Sequence, residues 1–187
     1  MAGHNKSVRV LAIDPGSRIS GFGIIDIVSN DCRLVASGLI ALGTDESLSR
    51  RLCTLRNDLT EVIKRYAPHE AAVESIFFAK NAQSALVLGH ARGVVLTVIE
   101  DAGLPLFEYS PALIKQNISG SGRATKNSIA EMVKILLKLP RKFEWKGSDQ
   151  SDALAIALAH AQIRRWNKHD RTSSRSPSSE GTQPFDH

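Results

Sequence analysis

Four carboxylates stand in this sequence where backbone patterning would bring them to one edge of a sheet. Asp14 closes an apolar run that begins at Val8, just before the turn Pro-Gly-Ser, and Glu74 closes a second short apolar run, "HEAAVE". Asp149 and Asp152 are three apart in "DQSDALAIALAH", so on a helix they share a face. In an open α/β sheet the carboxyl ends of parallel strands form the rim at which ligands sit. Each acid has a plainer use when taken alone. An aspartate caps a turn, and acids in a first helical turn satisfy free N–H groups for a few tenths to about 1 kcal/mol. Four together repel by several kcal/mol in a half-buried site unless a cation offsets them. Oxygen donors without His or Cys suit Mg²⁺ or Mn²⁺ rather than zinc. Two such ions about 3.5–4 Å apart form a clamp for in-line phosphodiester chemistry, one activating water and the other stabilising the leaving 3′ oxygen.

The elements that must position these acids follow from periodicity. Val8 to Asp14, "GFGIIDIVS" and "CRLVASGLIALG", with the turn signal "SND" between the last two, predict a three-stranded meander. Leu48, Leu52, Leu55, Leu59, Val62 and Tyr66 recur three or four apart, which is one helical face, and Pro68 stops it. "HEAAVE" reads as a fourth strand. A helix over about 81–102 is closed by Gly103, and "LPLFEY" reads as a fifth strand. A short helix around Pro111 to Asn117, a helix from Lys126 to Lys138 stopped at Pro140, and a last helix from near Ser148 through "DALAIALAHAQIRRW" complete the pattern. Strands that first run together and then alternate with helices predict an α/β fold, a mixed five-stranded sheet with helices on both faces. Residues 1–7 are read as an N-terminal extension and 8–166 as one domain. Residues 167–187, rich in Ser, Pro and charge, are expected to be a disordered tail.

Composition narrows the function classes. A chain of 187 residues with 42% hydrophobic and 23% charged residues has a globular balance and room for a real core. Its net charge of +5 leans toward a polyanionic partner. Cys32 and Cys53 lie in different elements without C-x-x-C spacing, which argues against a disulfide framework or zinc site and suits a reducing compartment. No uninterrupted apolar run of about 18 residues is present, and no signal-peptide core precedes the first strand. The expectation is a cytoplasmic protein with no membrane partner.

"AIDPGSRISGFG", "ESIFFAKNAQSALVLGHARG", "IKQNISGSGRATK" and "LLKLP" followed by "DQSDALAIALAH" resemble, in this order, the successive motifs of the RuvC family of bacterial Holliday-junction resolvases. The resemblance covers about residues 8–163. It implies a ribonuclease-H-like fold and a homodimer that cuts two opposing strands of four-way junction DNA symmetrically with Mg²⁺, in recombination and repair. It also implies RuvA and RuvB as branch-migration partners. It assigns catalysis and metal binding to Asp14, Glu74, Asp149 and Asp152, the four acids already singled out; some relatives have His at the position of Asp149. Lys115 and Lys126 match lysines that matter for cleavage, where they would neutralise charge on the transferring phosphate or the leaving oxygen. Phe77 matches a ring that stacks on a base unpaired at the junction, worth about 1–3 kcal/mol per base, with Phe78 left for packing. Lys80 and Arg123 would meet phosphates.

Other readings stand beside these. Aromatics more often fill cores, and a single lysine on a helix is usually a solvated charge. "SGSGRATKNS" fails as a Walker A loop because no Gly precedes Lys126; its glycines are expected to let backbone N–H groups approach a DNA phosphate. The glycine of "DPGS" is expected to clear space for DNA. Gly89 and Gly93 each cost about 1 kcal/mol against alanine in a helix, so they serve either tight packing on the chain's own sheet or a homodimer face. His90 and His160 read as satisfied or surface histidines rather than ligands. Arg164, Arg165, Lys168, Arg171 and Arg175 would add nonspecific DNA affinity or only solubility. An actin-like ATPase or sugar kinase also begins with a strand, an acid and a glycine turn, but it needs a duplicated domain that this length does not hold. A catalytically inactive junction binder would be signalled by a missing acid, and all four are present.

Overall fold

β1 (Val8–Asp14) is apolar on both sides, and that decides its place. Val10 and Ala12 belong to one hydrophobic core and Leu11 and Ile13 to another, so β1 is the middle strand of a sheet covered on both faces. In the computed structural model, which describes residues 7–43, 45–75 and 82–173, β2 (Ile19–Val28) runs antiparallel to β1 and β3 (Asp31–Ala41) antiparallel to β2. β4 (Glu70–Glu74) lies parallel to the other side of β1, and β5 (Leu106–Tyr109) parallel to β4. The order β3-β2-β1-β4-β5 is the mixed five-stranded sheet expected.

α1 (Leu48–Tyr66) and α2 (Ala82–Asp101) cover one face, burying Leu55, Leu59, Ala91, Val95, Val98 and Ile99 against Leu11, Ile13 and Ile24. α1 is capped by Ser47 and ends at Ala67 in the left-handed region, before Pro68. α3 (Pro111–Ser119), α4 (Lys126–Leu136) and α5 (Ser148–Ser173) cover the other face. α5 lies across β2 and β1 and brings the wholly buried Leu154 down onto Gly23. Shortening Leu154 to alanine would cost about 2–5 kcal/mol through lost contact and a residual cavity.

Two boundaries differ from expectation for physical reasons. α5 continues past Trp166 to Ser173. Apolar periodicity ends where burial ends, whereas Lys168 and Arg171 are residue types that favour a helix without a core to face. α4 stops at Leu136, with Leu137 as its cap and Lys138 at φ 54°. α2 is also long and apolar enough to cross a membrane by length and composition, despite the expectation from sequence. One of its faces is in the core.

Candidate active site

β1 and β4 run in register from Val10 opposite Glu70 to Ile13 opposite Val73. One residue further, both strands end, on Asp14 and Glu74. Alternation puts both on the side of Ala12 and Ala72, the face covered by α3, α4 and α5. The start of α5 reaches the same rim because Gly21, paired with Asp14, leaves room for it. A Cβ at Gly21 would stand 1.9 Å from the Asp149 carbonyl oxygen, a backbone atom that cannot step aside. Buried Gln150 then pins the turn: its Nε2 donates to Ser37 Oγ at 2.9 Å and its Oε1 accepts from Lys146 N at 2.8 Å.

The result is a cavity of about 270 Å³ into which Asp14, Glu74, Asp152, Lys115 and Lys126 converge above Ile114, Ile129 and Ile156. Burial first, then the charges of Asp152, Glu74 and Asp149, push the Asp14 carboxyl up to about 8, against the pull of Lys126. Burial and Asp152 likewise raise Glu74, with Lys126 and Lys115 opposing. Lys126 Nζ donates to Asp152 Oδ2 at 2.8 Å, and that bond together with the nearby acids raises the lysine's pKa despite partial burial. The acids thus outnumber the cations that answer them. Among the described residues no three acidic, His or Cys side chains yet close round one point, and one of the carboxylates is engaged by Lys126. All-oxygen donors with excess negative charge suit a hard divalent ion.

Five of the expected site residues therefore share one cavity. Asp149 acts on Asp14 through charge but does not line it. Arg123 is exposed in the connection between α3 and α4, its N–H donating to Ser121 Oγ at 3.3 Å. Phe77, Phe78, Lys80 and the chain from residue 174 onward lie outside the described residues.

The structure adds detail to several smaller expectations. Gly16 is demanded by its own turn: a Cβ there would stand 1.8 Å from the Ile19 carbonyl oxygen. The Gly16 N–H donates to buried Ser20 Oγ at 3.1 Å. Gly120, at φ 72°, is the left-handed cap of α3, donating to Gln116 O. A Cβ added at Gly89 or Gly93 would meet nothing within 4 Å among the described residues, so tight packing on their own sheet is not the reason for them. Arg164 and Arg165 are held internally, by Glu70 and by Cys32 Sγ.

Two arginines carry no signal in the sequence. Arg92 of α2 donates from Nη1 to the Glu74 carbonyl at 2.8 Å and from Nη2 to Glu108. Arg51 of α1 donates to the Ser17 carbonyl, in the turn after Asp14. Periodicity marks apolar faces, so an arginine on the flank of an amphipathic helix reads as one more solvated charge.

The chain's relatives place it in one family. Residues 10–160 match the family model described as "Crossover junction endodeoxyribonuclease RuvC". The protein of that name from Agrobacterium fabrum is 45% identical over 166 residues, 89% of this chain and 96% of the relative. The one from Syntrophotalea carbinolica is 48% identical over 160 residues, 86% and 98% of the two chains. T. thermophilus RuvC in complex with Holliday junction substrate superposes with a TM-score of 0.79 at 32% identity, covering 86% of this chain and 96% of that one. The chain belongs to the RuvC family of crossover junction endodeoxyribonucleases.

Proposed function

We propose that the chain resolves four-way DNA junctions in recombination and repair, as a cytoplasmic homodimer that hydrolyses one phosphodiester on each of two opposing strands. The observation that carries this reading is the convergence of Asp14, Glu74 and Asp152 with Lys115 and Lys126 on one cavity, in a chain matched along most of its length by junction endonucleases. Asp14, Glu74 and Asp152 are the ligands for Mg²⁺ or Mn²⁺, two ions per subunit, and Asp149 is the fourth acid beside them. Bound ions supply Lewis-acid stabilisation of charge for the attack of water on the phosphodiester.

The protein's own part is electrostatic and positional. Lys126 now answers Asp152, and it exchanges that carboxylate for the phosphate or the leaving 3′ oxygen once the acids are otherwise neutralised. Lys115 approaches the same cavity from α3. Ile114, Ile129 and Ile156 keep its floor apolar, which strengthens each charge interaction above them. Arg123, Lys80 and Phe77 extend the surface toward the DNA, Phe77 by stacking on an unpaired base.

The groove between α1 and α2 supports the dimer. It has a volume of about 560 Å³ and is lined by Leu52, Leu86, Gly89, Gly93 and Val94, with Leu86 64% exposed. A second copy seated there puts two acid rims on one two-fold substrate. RuvA and RuvB are the branch-migration partners on this reading. The test is cleavage of a labelled four-way junction with Mg²⁺. Wild-type chain is expected to give paired, ligatable nicks with 5′ phosphates, and Asp14→Asn none. Tight binding without cleavage by the wild type would make the chain a junction binder instead.

A further inference from the structure

Strand ends are where a ladder stops satisfying its own carbonyls, and each such group needs another donor. At this rim the donors are arginines from the far side of the sheet. Arg92 is 13% exposed and its fork is fixed from two directions, by the Glu74 carbonyl and by the Glu108 carboxylate on β5. Arg51 is drawn in far enough that its Nε is buried without an acceptor among the described residues, while its Nη2 holds Ser17 O. Neither side chain lines the acid cavity, so neither takes the role of Lys115 or Lys126.

We propose that Arg51 and Arg92 are positioning residues that fix the backbone on which Asp14 and Glu74 are mounted, holding the two strand ends in place against the mutual repulsion of their acids. The need arises from the site itself. Asp14, Glu74 and Asp152 repel one another, and the same force acts to spread the strands that carry them. A hydrogen bond to the main chain resists that spread without placing a competing cation among the ligands. The Ser75 N–H, which donates to Tyr109 O at 2.8 Å, closes the end of β4 from the β5 side, and Arg92 closes it from the helix side. The proposal rests on the reading of Asp14 and Glu74 as metal ligands.

The test uses full-length chain on a four-way junction. Mn²⁺ affinity of the complex is measured by calorimetry, amide exchange at Ser75 by NMR, and single-turnover cleavage as a function of Mn²⁺. Partners that orient metal ligands typically change affinity or activity about 10–100-fold. Arg92→Ala is expected to weaken Mn²⁺ binding within that range, speed Ser75 exchange, and lose cleavage that excess Mn²⁺ partly restores, with junction affinity within about twofold of wild type. Arg51→Ala should do the same without changing Ser75. Arg92→Lys, which keeps one donor, and Glu108→Gln, which loosens the fork, should fall between and serve if the alanine variant does not fold. Wild-type Mn²⁺ affinity in folded Arg92→Lys and Glu108→Gln would overturn the proposal, and so would loss of junction affinity with Mn²⁺ affinity intact. Asp14→Asn and Glu74→Gln are the controls. If they cleave like wild type, the ligand reading fails first; if they are inactive while the arginine variants are normal, only the positioning proposal fails.

Discussion

β4 is five residues long and carries a glutamate at each end, and the fold treats the two in opposite ways. Burial acts to raise Glu70, but hydrogen bonds from Arg164 Nε at 3.0 Å and His160 Nε2 at 2.9 Å outweigh it and hold the carboxyl below its ordinary value. Glu74 is raised, by burial and then by Asp152. Residue type, strand and face are the same; the neighbours differ. Donors and a cation complete Glu70, whereas a like charge leaves Glu74 in need of one. The completed end is consistent down to its protons. Burial, and then Glu70, push the Tyr109 hydroxyl up to about 12, so it stays a donor, and burial keeps His160 neutral. Tyr109 Oη therefore donates to Nδ1 at 2.7 Å, and the remaining Nε2–H donates to Glu70.

The sharpest way to break this contrast is to neutralise each glutamate in turn. Glu74→Gln should lower the single-turnover cleavage rate at least about a hundredfold, the scale of losing a charge-stabilising group from a preorganised site. Its thermal midpoint should equal or exceed that of wild type, because a like charge has left. Glu70→Ala should do the reverse. It strands the His160 and Arg164 donors, costing about 1–3 kcal/mol in urea unfolding, while cleavage per folded molecule stays at the wild-type rate. Should Glu70→Ala remove activity and Glu74→Gln remove stability, the assignment of the two ends is reversed.

The same contrast explains what is legible in the sequence. Glu74 is visible because it ends an apolar run, and Asp14 for the same reason. The pair Asp149 and Asp152 is visible from helical spacing, although spacing alone does not tell that Asp152 enters the cavity and Asp149 does not. That β1 and β4 are parallel neighbours is legible from their matching acid ends, whereas the full strand order shows only in the structure. Glu70, His160, Tyr109 and Arg164 span three elements and meet only through the crossing of α5 over β4 and β5, which no local pattern encodes. The sequence marks His160 as satisfied without naming its partners. Gly16 stands out for its turn, but the sequence does not say which need it serves, since a tight turn and a close ligand make the same demand for glycine.

Acid titration sharpens the contrast from the completed end. His160 is lowered from 6.5 and Glu70 from 4.5. In both cases the unfolded chain binds more protons than the folded one, so stability rises with pH and is lost as pH falls. Each group contributes a slope of at most about 1.4 kcal/mol per pH unit. The raised carboxyls of Asp14 and Glu74 carry the opposite sign, so in an Asp14→Asn, Glu74→Gln background the unfolding free energy in urea should begin to fall below about pH 6.5 and fall more steeply below about 4.5. His160→Gln should flatten the upper part of that limb. An unchanged limb would mean that His160 does not exchange protons on unfolding, and the neutral assignment would fail.

The smallest expected effect comes from Tyr109→Phe, and it tests whether the two ends of β4 are independent. Tyr109 belongs to both. Its hydroxyl completes His160, while its backbone pairs with Glu74 and accepts from the Ser75 N–H. Removing only the hydroxyl leaves the ladder intact and one nitrogen of His160 without its donor, so the cost is about 0.5–1.5 kcal/mol. Ring packing against His160 remains. Cleavage should stay within about twofold of wild type, because the acid rim is held through main chain that the substitution does not touch. A tenfold loss of cleavage with that same small loss of stability would show the hydroxyl network acting on Glu74, and the two glutamates would then belong to one coupled system.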